Sequence, residues 1–290
     1  MKEITIKANA KINLAIDVLD KLDNGYHKVD MIIVPLLLHD TIEVTRLANN
    51  YNTYLYSNDE KIPCDETNLA YKALNLLKNT YNFDDKFKIY IYKRIPVEAG
   101  LGGGSSDAAA ILKNIPALLA NQSFEKVDPL TLAPQIGSDV SFFINNRPAR
   151  ATEKGNVLTD IKIKIPYHVL IVKPKQGLST KEVYTFYDEI KEKIAHPNID
   201  KLIEGLENDD EELIQANLIN VLTVPAISKL PLIKKILNSF ENMNLSLYGM
   251  SGTGSACFAL SKDKKYLRKV EEVFQQQGYQ VFLTQFDLSN

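Results

Sequence analysis

Short apolar or alternating runs dominate the first half of the chain. They predict strands near residues 2–7, 11–19, 29–37, 40–46 and 51–57. The segment 87–93 alternates most regularly between apolar and polar positions and predicts a further strand. Apolar residues three or four apart predict a helix over about 67–79. The alanine-rich segment after Ser105 predicts a second helix, which Pro116 kinks or ends. The first half therefore has the pattern of an α+β or α/β domain.

The second half of the chain has a clearer order of elements. Ser179 and Glu182 have the spacing of a capping box, so a helix is predicted to start there, after a strand at 167–172. The later pattern predicts helices at about 198–206, 209–219, 229–241 and 263–277, and strands at 244–249, 255–261 and 279–286. Without the additional helices, the order is β-α-β-β-α-β, which is the ferredoxin-like order.

Length and composition indicate a two-domain soluble protein. A chain of 290 residues is comfortable as two domains, and the change of pattern near 161–166 predicts domains at 1–163 and 164–290. The formal net charge of −2 leaves no basic excess for binding nucleic acid as the main partner. The longest apolar run, 31–38, is too short to cross a bilayer. No signal-peptide pattern opens the sequence, so we expect a cytoplasmic protein with two reduced cysteines.

A cluster of glycines interrupts the pattern between a predicted strand and a predicted helix. The positions 100–104 contain four of the 13 glycines of the chain. Glycine lets the backbone approach a ligand closely, and a helix start offers unpaired N–H groups, which together suit phosphate. No Gly-Lys-Ser/Thr follows, so this is not a Walker A loop, and Ser105 replaces the third glycine of a dinucleotide fingerprint. A flexible hinge is the alternative, but a hinge does not need the polar residues Ser105, Ser106 and Asp107.

A second cluster contains three glycines within positions 249–254. A plain turn between two strands would explain one or two of them. The third predicts a backbone that meets either a ligand or the other glycine cluster. Below, residues 96–106 are called the first glycine loop, and residues 249–255 the second glycine loop.

Four segments of the chain resemble signatures of one enzyme family. The segment 96–110 closely resembles the signature loop of the GHMP kinases, and 10–14 with 23–27, 136–143 and 252–257 resemble further signatures of one branch. The presence of all four in this order makes the resemblance specific. It implies an α+β, two-domain GHMP kinase fold, with an N-terminal domain like ribosomal protein S5 domain 2 and a C-terminal ferredoxin-like α/β sandwich.

The resemblance also implies a reaction. In that branch, ATP phosphorylates the 2-hydroxyl of 4-diphosphocytidyl-2-C-methyl-D-erythritol, on the non-mevalonate route to isoprenoid precursors. We therefore expect ATP and Mg²⁺ as cofactors, with unassigned metal ligands, and a monomer or weak homodimer that binds small molecules and no membrane. Two alternatives stay open: another GHMP kinase, acting on mevalonate, phosphomevalonate or homoserine, and a nucleotide-binding regulator without catalysis.

By resemblance, Asp139 is the base that takes the proton of the substrate hydroxyl, and Lys11 is its partner. A nearby cation keeps a carboxylate ionised. The residues alone leave two other interpretations open, a helix-terminal aspartate and a lysine that reaches solvent from a strand end. An apolar strand is predicted directly after Asp139. Asn13 lies two residues beyond Lys11, on the same strand face, and is predicted to contact the substrate.

The remaining site residues are carried over in two groups. The turn signal Asn24-Gly25 places Tyr26 and His27 at a rim. The resemblance makes Tyr26 and Tyr184 the two faces of a cytosine sandwich and His27 a hydrogen-bond partner of the base, with Thr180 as a further substrate contact. The predicted nucleotide-binding residues are Asn68, Pro96, Val97, Glu98, Ala99, Gly100, Leu101, Gly102, Gly103, Gly104, Ser105 and Ser106.

Three departures from the family pattern stand out. Ser141 occupies a position that is usually proline, and Glu98 one where a small residue is common. The segment 152–156 lacks the usual Gly-x-Gly-Glu ending. None of the three removes a predicted catalytic group, but the last leaves the role of that loop open.

Overall fold

The computed structural model describes residues 3–23, 25–48, 50–119, 128–190 and 193–289. Asn24, part of the predicted turn before Tyr26, lies outside the described residues. The chain forms two compact units: unit 1 is Met1–Ala10, His39–Pro96 and Gly102–Asn146, and unit 2 is Lys11–Leu38, Val97–Leu101 and Arg147–Asn290. The domain boundary predicted at 163/164 stays a prediction.

The described residues contain ten strands and ten α-helices. The strands are β1 (Glu3–Lys21), β2 (His27–Leu47), β3 (Tyr54–Ser57), β4 (Lys86–Tyr92), β5 (Ala149–Thr152), β6 (Val157–Asp160), β7 (His168–Lys173), β8 (Leu247–Met250), β9 (Cys257–Ser261) and β10 (Gln280–Gln285). The helices are α1 (Leu69–Tyr81), α2 (Gly103–Leu118), α3 (Pro129–Leu132), α4 (Val140–Asn145), α5 (Thr180–Glu189), α6 (Ile199–Asn208), α7 (Glu211–Asn217), α8 (Thr223–Lys229), α9 (Leu232–Asn242) and α10 (Lys264–Gln276).

Unit 1 combines a sheet with packed helices. Within it, β2 pairs antiparallel with β4, and β3 pairs parallel with the other edge of β4. The alternation of β4 places Phe87, Ile89 and Ile91 in the core. The helices α1 and α2 pack against each other, and α4 packs against α2. Pro116 lies within the last turn of α2, and the helix continues for two more residues, to Leu118.

Unit 2 contains a four-stranded antiparallel sheet in the order β10-β7-β9-β8. The strand β9 lies between β7 and β8, and β7 lies between β9 and β10. Each β-α-β connection is therefore split by a strand, as in the ferredoxin-like fold. The prediction from the sequence is confirmed. The central strand β7 is fully buried from Val169 to Val172, as expected where both neighbours and the helices cover it.

Two predictions about elements were wrong, and the short elements α3, α8, β5 and β6 were not predicted. The four strands predicted over 2–7, 11–19, 29–37 and 40–46 are two long strands, β1 and β2, because the half-buried polar residues Asn9 and His39 between them keep a strand conformation. The strand predicted after Asp139 is the helix α4. The helix α8 was not predicted, since Pro225 resembles a helix breaker, whereas proline is tolerated in a first turn.

Two further expectations concern the surroundings of the protein. Both cysteines are free, Cys64 at the surface and Cys257 in the core. Burial raises the pKa of the Cys257 thiol far above its usual range, so this thiol stays protonated. Of the helices described, none has the length and apolar character needed to cross a membrane.

Candidate active site

The helical part of the first glycine loop lies in unit 1. Gly102 adopts a left-handed backbone with φ of +73°, and α2 begins at Gly103, two residues before the predicted start. No side chain caps this helix start. The first N–H groups of a helix have no partner within it, and they lie at the positive end of the helix dipole. The uncapped start of α2 therefore presents the donors that a phosphate group needs. Ser105 is half-buried and Ser106 is buried in this first turn.

A buried lysine lies directly beneath the start of α2. A Cβ atom on Gly103 would lie 3.1 Å from Nζ of Lys93. The ammonium group of Lys93 donates to Oδ2 of Asp107 at 2.9 Å and to Asp40. Asp40 in turn accepts hydrogen bonds from the N–H groups of Arg94 (2.6 Å) and Ile95 (2.8 Å). The three charged residues thus connect the chain before the first glycine loop with the second turn of α2. This cluster was not predicted from the sequence, although an alternating strand that ends on a lysine was a signal.

Asp107 has an unusual electrostatic environment. Its Oδ1 is buried and has no hydrogen-bond partner among the residues described. Burial raises the pKa of Asp107 to about 7, with the charge of Lys93 acting against this rise and the negative charge of Asp40 adding to it. The carboxyl group of Asp107 is thus inside the protein and paired with Lys93, unlike an exposed aspartate at a helix start.

The raised pKa predicts a specific effect of pH on stability. Between about pH 4 and pH 7 the folded protein holds a proton on Asp107 that the unfolded chain releases, so this contribution to the free energy of unfolding is full at low pH and lost as pH rises. Asp107→Asn cannot titrate there. Denaturant unfolding at about pH 5 and about pH 8 should therefore show the variant gaining stability relative to the natural protein as pH rises. A difference that does not change with pH would contradict this prediction.

Asn68, predicted to lie near the adenine, caps α1. Its Oδ1 accepts from the N–H of Ala70 at 2.8 Å, and its Nδ2 donates to the carbonyl of Pro63 at 2.8 Å. The next residue, Leu69, would lie 3.6 Å from a Cβ atom on Gly104. The start of α1 therefore lies beside the start of α2. A contact between Asn68 and adenine stays a prediction.

Asp139 lies immediately before α4 in unit 1. Its backbone is already helical, and its side chain makes no capping hydrogen bond to the helix. Asp139 is therefore a helix-terminal residue, as one of the interpretations from the sequence has it, although its side chain does not cap α4. Ser141, at the position that is usually proline, is buried in the first turn of α4. Proline is also compatible with a first turn, so the departure fits the local structure.

Lys11 and Asn13 lie side by side in unit 2. Lys11 is only 5 % exposed, so it does not extend to solvent from a strand end. Its Nζ donates to Oδ1 of Asn13 at 2.5 Å, which confirms that both side chains lie on one face of β1. The backbone N–H of Lys11 donates to the carbonyl of Leu101, in the first glycine loop, at 3.0 Å. The pairing of Lys11 with Asp139, which belongs to unit 1, stays a prediction.

The two glycine loops meet in unit 2. The hydroxyl of Ser251 donates to the carbonyl of Gly100 at 2.9 Å, and the N–H of Ala256 donates to the carbonyl of Ala99 at 3.2 Å. A Cβ atom on Gly252 would lie 3.0 Å from Cα of Gly100. Of the two alternatives predicted for the second glycine loop, a ligand or the other loop, these contacts show the second. The N–H of Asn13 also donates to the Ser251 hydroxyl at 3.1 Å, which brings Asn13 into the same cluster.

The remaining residues of the first glycine loop precede this contact. Pro96 and Val97 are half-buried, and Glu98 has a left-handed backbone with φ of +50°. A small residue, glycine above all, has the least strain in that region. Glu98 is not a small residue, so its left-handed backbone is held by its surroundings. The N–H of Ser255 approaches the carbonyl of Glu98 at 3.4 Å.

The residues predicted to bind the cytosine all belong to unit 2, and the sandwich of the base between Tyr26 and Tyr184 stays a prediction. The rings of His27 and Tyr184 are stacked, with centroids 5.0 Å apart. Tyr26 is 65 % exposed, and Nζ of Lys154 lies 5.5 Å from the centre of its ring. Thr180, in the first turn of α5, has its hydroxyl 3.2 Å from that of Thr253 in the second glycine loop.

The segment 152–156 now has a structural role. It forms the turn between β5 and β6, and the N–H of Val29 donates to the carbonyl of Glu153 at 2.7 Å. This turn carries Lys154 to the ring of Tyr26. Lys154 was not predicted as a site residue, because its ammonium group contacts an exposed tyrosine more than a hundred residues earlier in the sequence.

Comparison with known proteins agrees with these features. The family model "GHMP kinases N terminal domain" matches residues 68–147, and "GHMP kinases C terminal" matches residues 202–280. The chain belongs to the GHMP kinase family. Curated relatives in Lachnoclostridium phytofermentans (38 % identity over 99 % of this chain and 98 % of that protein) and Clostridium beijerinckii (35 % over 96 % and 98 %) are each a 4-diphosphocytidyl-2-C-methyl-D-erythritol kinase. Within the GHMP kinases, the chain therefore belongs with the 4-diphosphocytidyl-2-C-methyl-D-erythritol kinases.

Solved structures support the same placement. A crystal structure of 4-(cytidine 5'-diphospho)-2C-methyl-D-erythritol kinase matches with a TM-score of 0.80 and 28 % identity, over 98 % of this chain and 100 % of the other. A homoserine kinase from Cytophaga hutchinsonii matches with a TM-score of 0.76 and 16 % identity, over 98 % and 94 %. The second likeness shows a shared fold only.

Proposed function

We propose that this chain transfers the γ-phosphate of ATP to the 2-hydroxyl of 4-diphosphocytidyl-2-C-methyl-D-erythritol, a step toward isoprenoid precursors. The observation that carries the proposal is the cluster in unit 2 where Lys11 and Asn13 lie against both glycine loops. The relatives with this substrate in their names match nearly the full chain, which supports the choice of acceptor.

The residues of the chain supply positioning and charge. Phosphoryl transfer needs aligned reactants and stabilised charge more than covalent help from the protein. The uncapped N–H groups at the start of α2 hold the phosphates, because donors fixed in a helix need no reorganisation. Bound Mg²⁺ would neutralise charge on the phosphate oxygens. The buried ammonium of Lys11 orients the acceptor hydroxyl, and Asn13 fixes the ammonium.

Asp139 receives the proton of the acceptor hydroxyl in this proposal. A carboxylate in that role accelerates the reaction by about 10²–10⁴-fold. Its position at the start of α4 supports the role, because the positive end of a helix favours an ionised carboxylate.

The base of the substrate binds among Tyr26, His27 and Tyr184. Stacking on an aromatic ring contributes about 1–3 kcal/mol per base. The exposed ring of Tyr26 offers such a face, while His27 offers hydrogen bonds. Mevalonate, phosphomevalonate and homoserine carry no base, so these aromatic residues favour the cytidylyl compound over those acceptors.

An assay of ATP consumption across acceptors tests the proposal. With Mg²⁺ present, we expect turnover with 4-diphosphocytidyl-2-C-methyl-D-erythritol and none above background with mevalonate, phosphomevalonate or homoserine. Preference for one of those three would identify another member of the fold family. Binding of ATP without turnover of any acceptor would favour the nucleotide-binding regulator.

A further inference from the structure

One face of α5 holds the ring of His27 on three sides. Tyr184, Tyr187 and Asp188 are spaced i, i+3 and i+4, so they lie on the same side of the helix. Tyr184 stacks on the imidazole, and the ring of Tyr187 meets it edge-on at a centroid distance of 6.5 Å. Oδ1 of Asp188 lies 2.7 Å from Nε2 of His27. The imidazole is 8 % exposed, so its orientation is fixed by these neighbours.

The carboxylate of Asp188 decides where the ring carries its proton. Its second oxygen, Oδ2, accepts from Nζ of Lys21 at 2.5 Å. Partial burial raises the pKa of Asp188, but the hydrogen bonds from Lys21 and His27 outweigh this and hold it below its usual value. An ionised carboxylate only accepts hydrogen bonds. Nε2 of His27 must therefore be the donor, and in the neutral ring Nδ1 is then an acceptor.

We propose that Asp188 is a positioning residue that makes the base site specific for cytosine over uracil, by keeping the proton of His27 on Nε2 and leaving Nδ1 as an acceptor. The inference rests on the proposed function. The two bases differ at position 4, where cytosine has an amino group that donates and uracil has a carbonyl that accepts. An acceptor at Nδ1 pairs with the amino group and opposes the carbonyl. Among the residues described, His27 has no protein hydrogen-bond partner at Nδ1.

The position of the proton can be measured directly. A ¹H–¹⁵N correlation spectrum of the imidazole groups separates protonated from bare ring nitrogens, and the chain has only four histidines to assign. At mildly alkaline pH and without ligand, we expect His27 to carry its proton on Nε2 and to have a bare Nδ1. A proton on Nδ1, alone or together with Nε2, would overturn the proposal.

Kinetics test the consequence for specificity. The ratio of kcat/KM for the cytidylyl substrate to kcat/KM for the matching uridylyl compound should be high in the natural protein. In Asp188→Ala it should fall by about 10-fold or more, mainly through KM, because a site built for one hydrogen bond rejects a base that lacks it. Asp188→Glu should restore part of the ratio, since it returns a carboxylate. Loss of folding alone would lower kcat for both compounds and leave their ratio unchanged.

A matched control is available in the same unit. Nδ1 of His196 lies 2.6 Å from Oδ1 of Asp17, so Asp17→Ala breaks another aspartate–histidine pair. That variant should keep the natural ratio, and an unchanged ratio in Asp188→Ala would refute the role of Asp188. The spectrum and the activity assay test the two proposals separately. A protein inactive on the cytidylyl substrate would refute the proposed function, while the spectrum would still show where His27 carries its proton.

Discussion

Replacing Asp139 by asparagine is expected to lower kcat by about 10²–10⁴-fold, while ATP affinity and melting temperature stay close to those of the natural protein. Asparagine has the same shape as aspartate but does not accept a proton from the acceptor hydroxyl. The side chain of Asp139 makes no capping hydrogen bond to α4, so the substitution removes no helix cap. Single-turnover kinetics with ATP and the cytidylyl substrate measure the chemical step directly.

A neighbouring aspartate provides the control for this experiment. Asp128 caps α3 in the same unit, through the N–H of Leu130 at 3.0 Å. Asp128→Asn removes an equal charge, and asparagine is also a good cap, so neither stability nor kcat should change much. If Asp139→Asn retained the natural kcat, Asp139 would not be the base, and the positioning groups alone would account for the reaction.

Local signals were sufficient to predict the β-α-β-β-α-β order in the second half of the chain. Ser179 accepts from the N–H of Glu182 at 3.5 Å, as its spacing from Glu182 predicted, and α5 starts there. The first glycine loop was also readable, because glycines followed by a helix have few structural roles other than close approach to a ligand. These features depend on residues close together in sequence, which a pattern can report.

Pairs distant in sequence were not predictable. Asp40 and Lys93 neutralise each other in the core, but they lie 53 positions apart, so no local pattern shows their contact. The contact between His27 and Asp188 joins residues 161 positions apart. The strand predicted after Asp139, which is the helix α4, was wrong for a different reason. A short apolar run has no periodicity that separates a helix from a buried strand.

Gly100→Ala is expected to destabilise the protein by about 2–5 kcal/mol, from left-handed strain of about 1–2 kcal/mol together with the cost of a steric clash. Gly100 has φ of +72°, and an added Cβ would lie 2.1 Å from the carbonyl oxygen of Ser251. That neighbour is backbone, so no side chain can rotate away. The two glycine loops must separate, which breaks the bond from the Ser251 hydroxyl to Gly100. Lys11 should move as well, because its N–H is bonded to Leu101.

Gly278→Ala separates the strain from the clash. Gly278 has φ of +81° in the same unit, but an added Cβ would meet nothing within 4 Å. This variant should lose only about 1–2 kcal/mol and keep its kcat. Gly100→Ala should lose more stability and also activity, since the shift reaches Lys11. Denaturant unfolding and kcat on both variants measure the difference. Equal losses would mean that the two glycine loops do not touch in solution, and the cluster that carries the proposed function would lose its support.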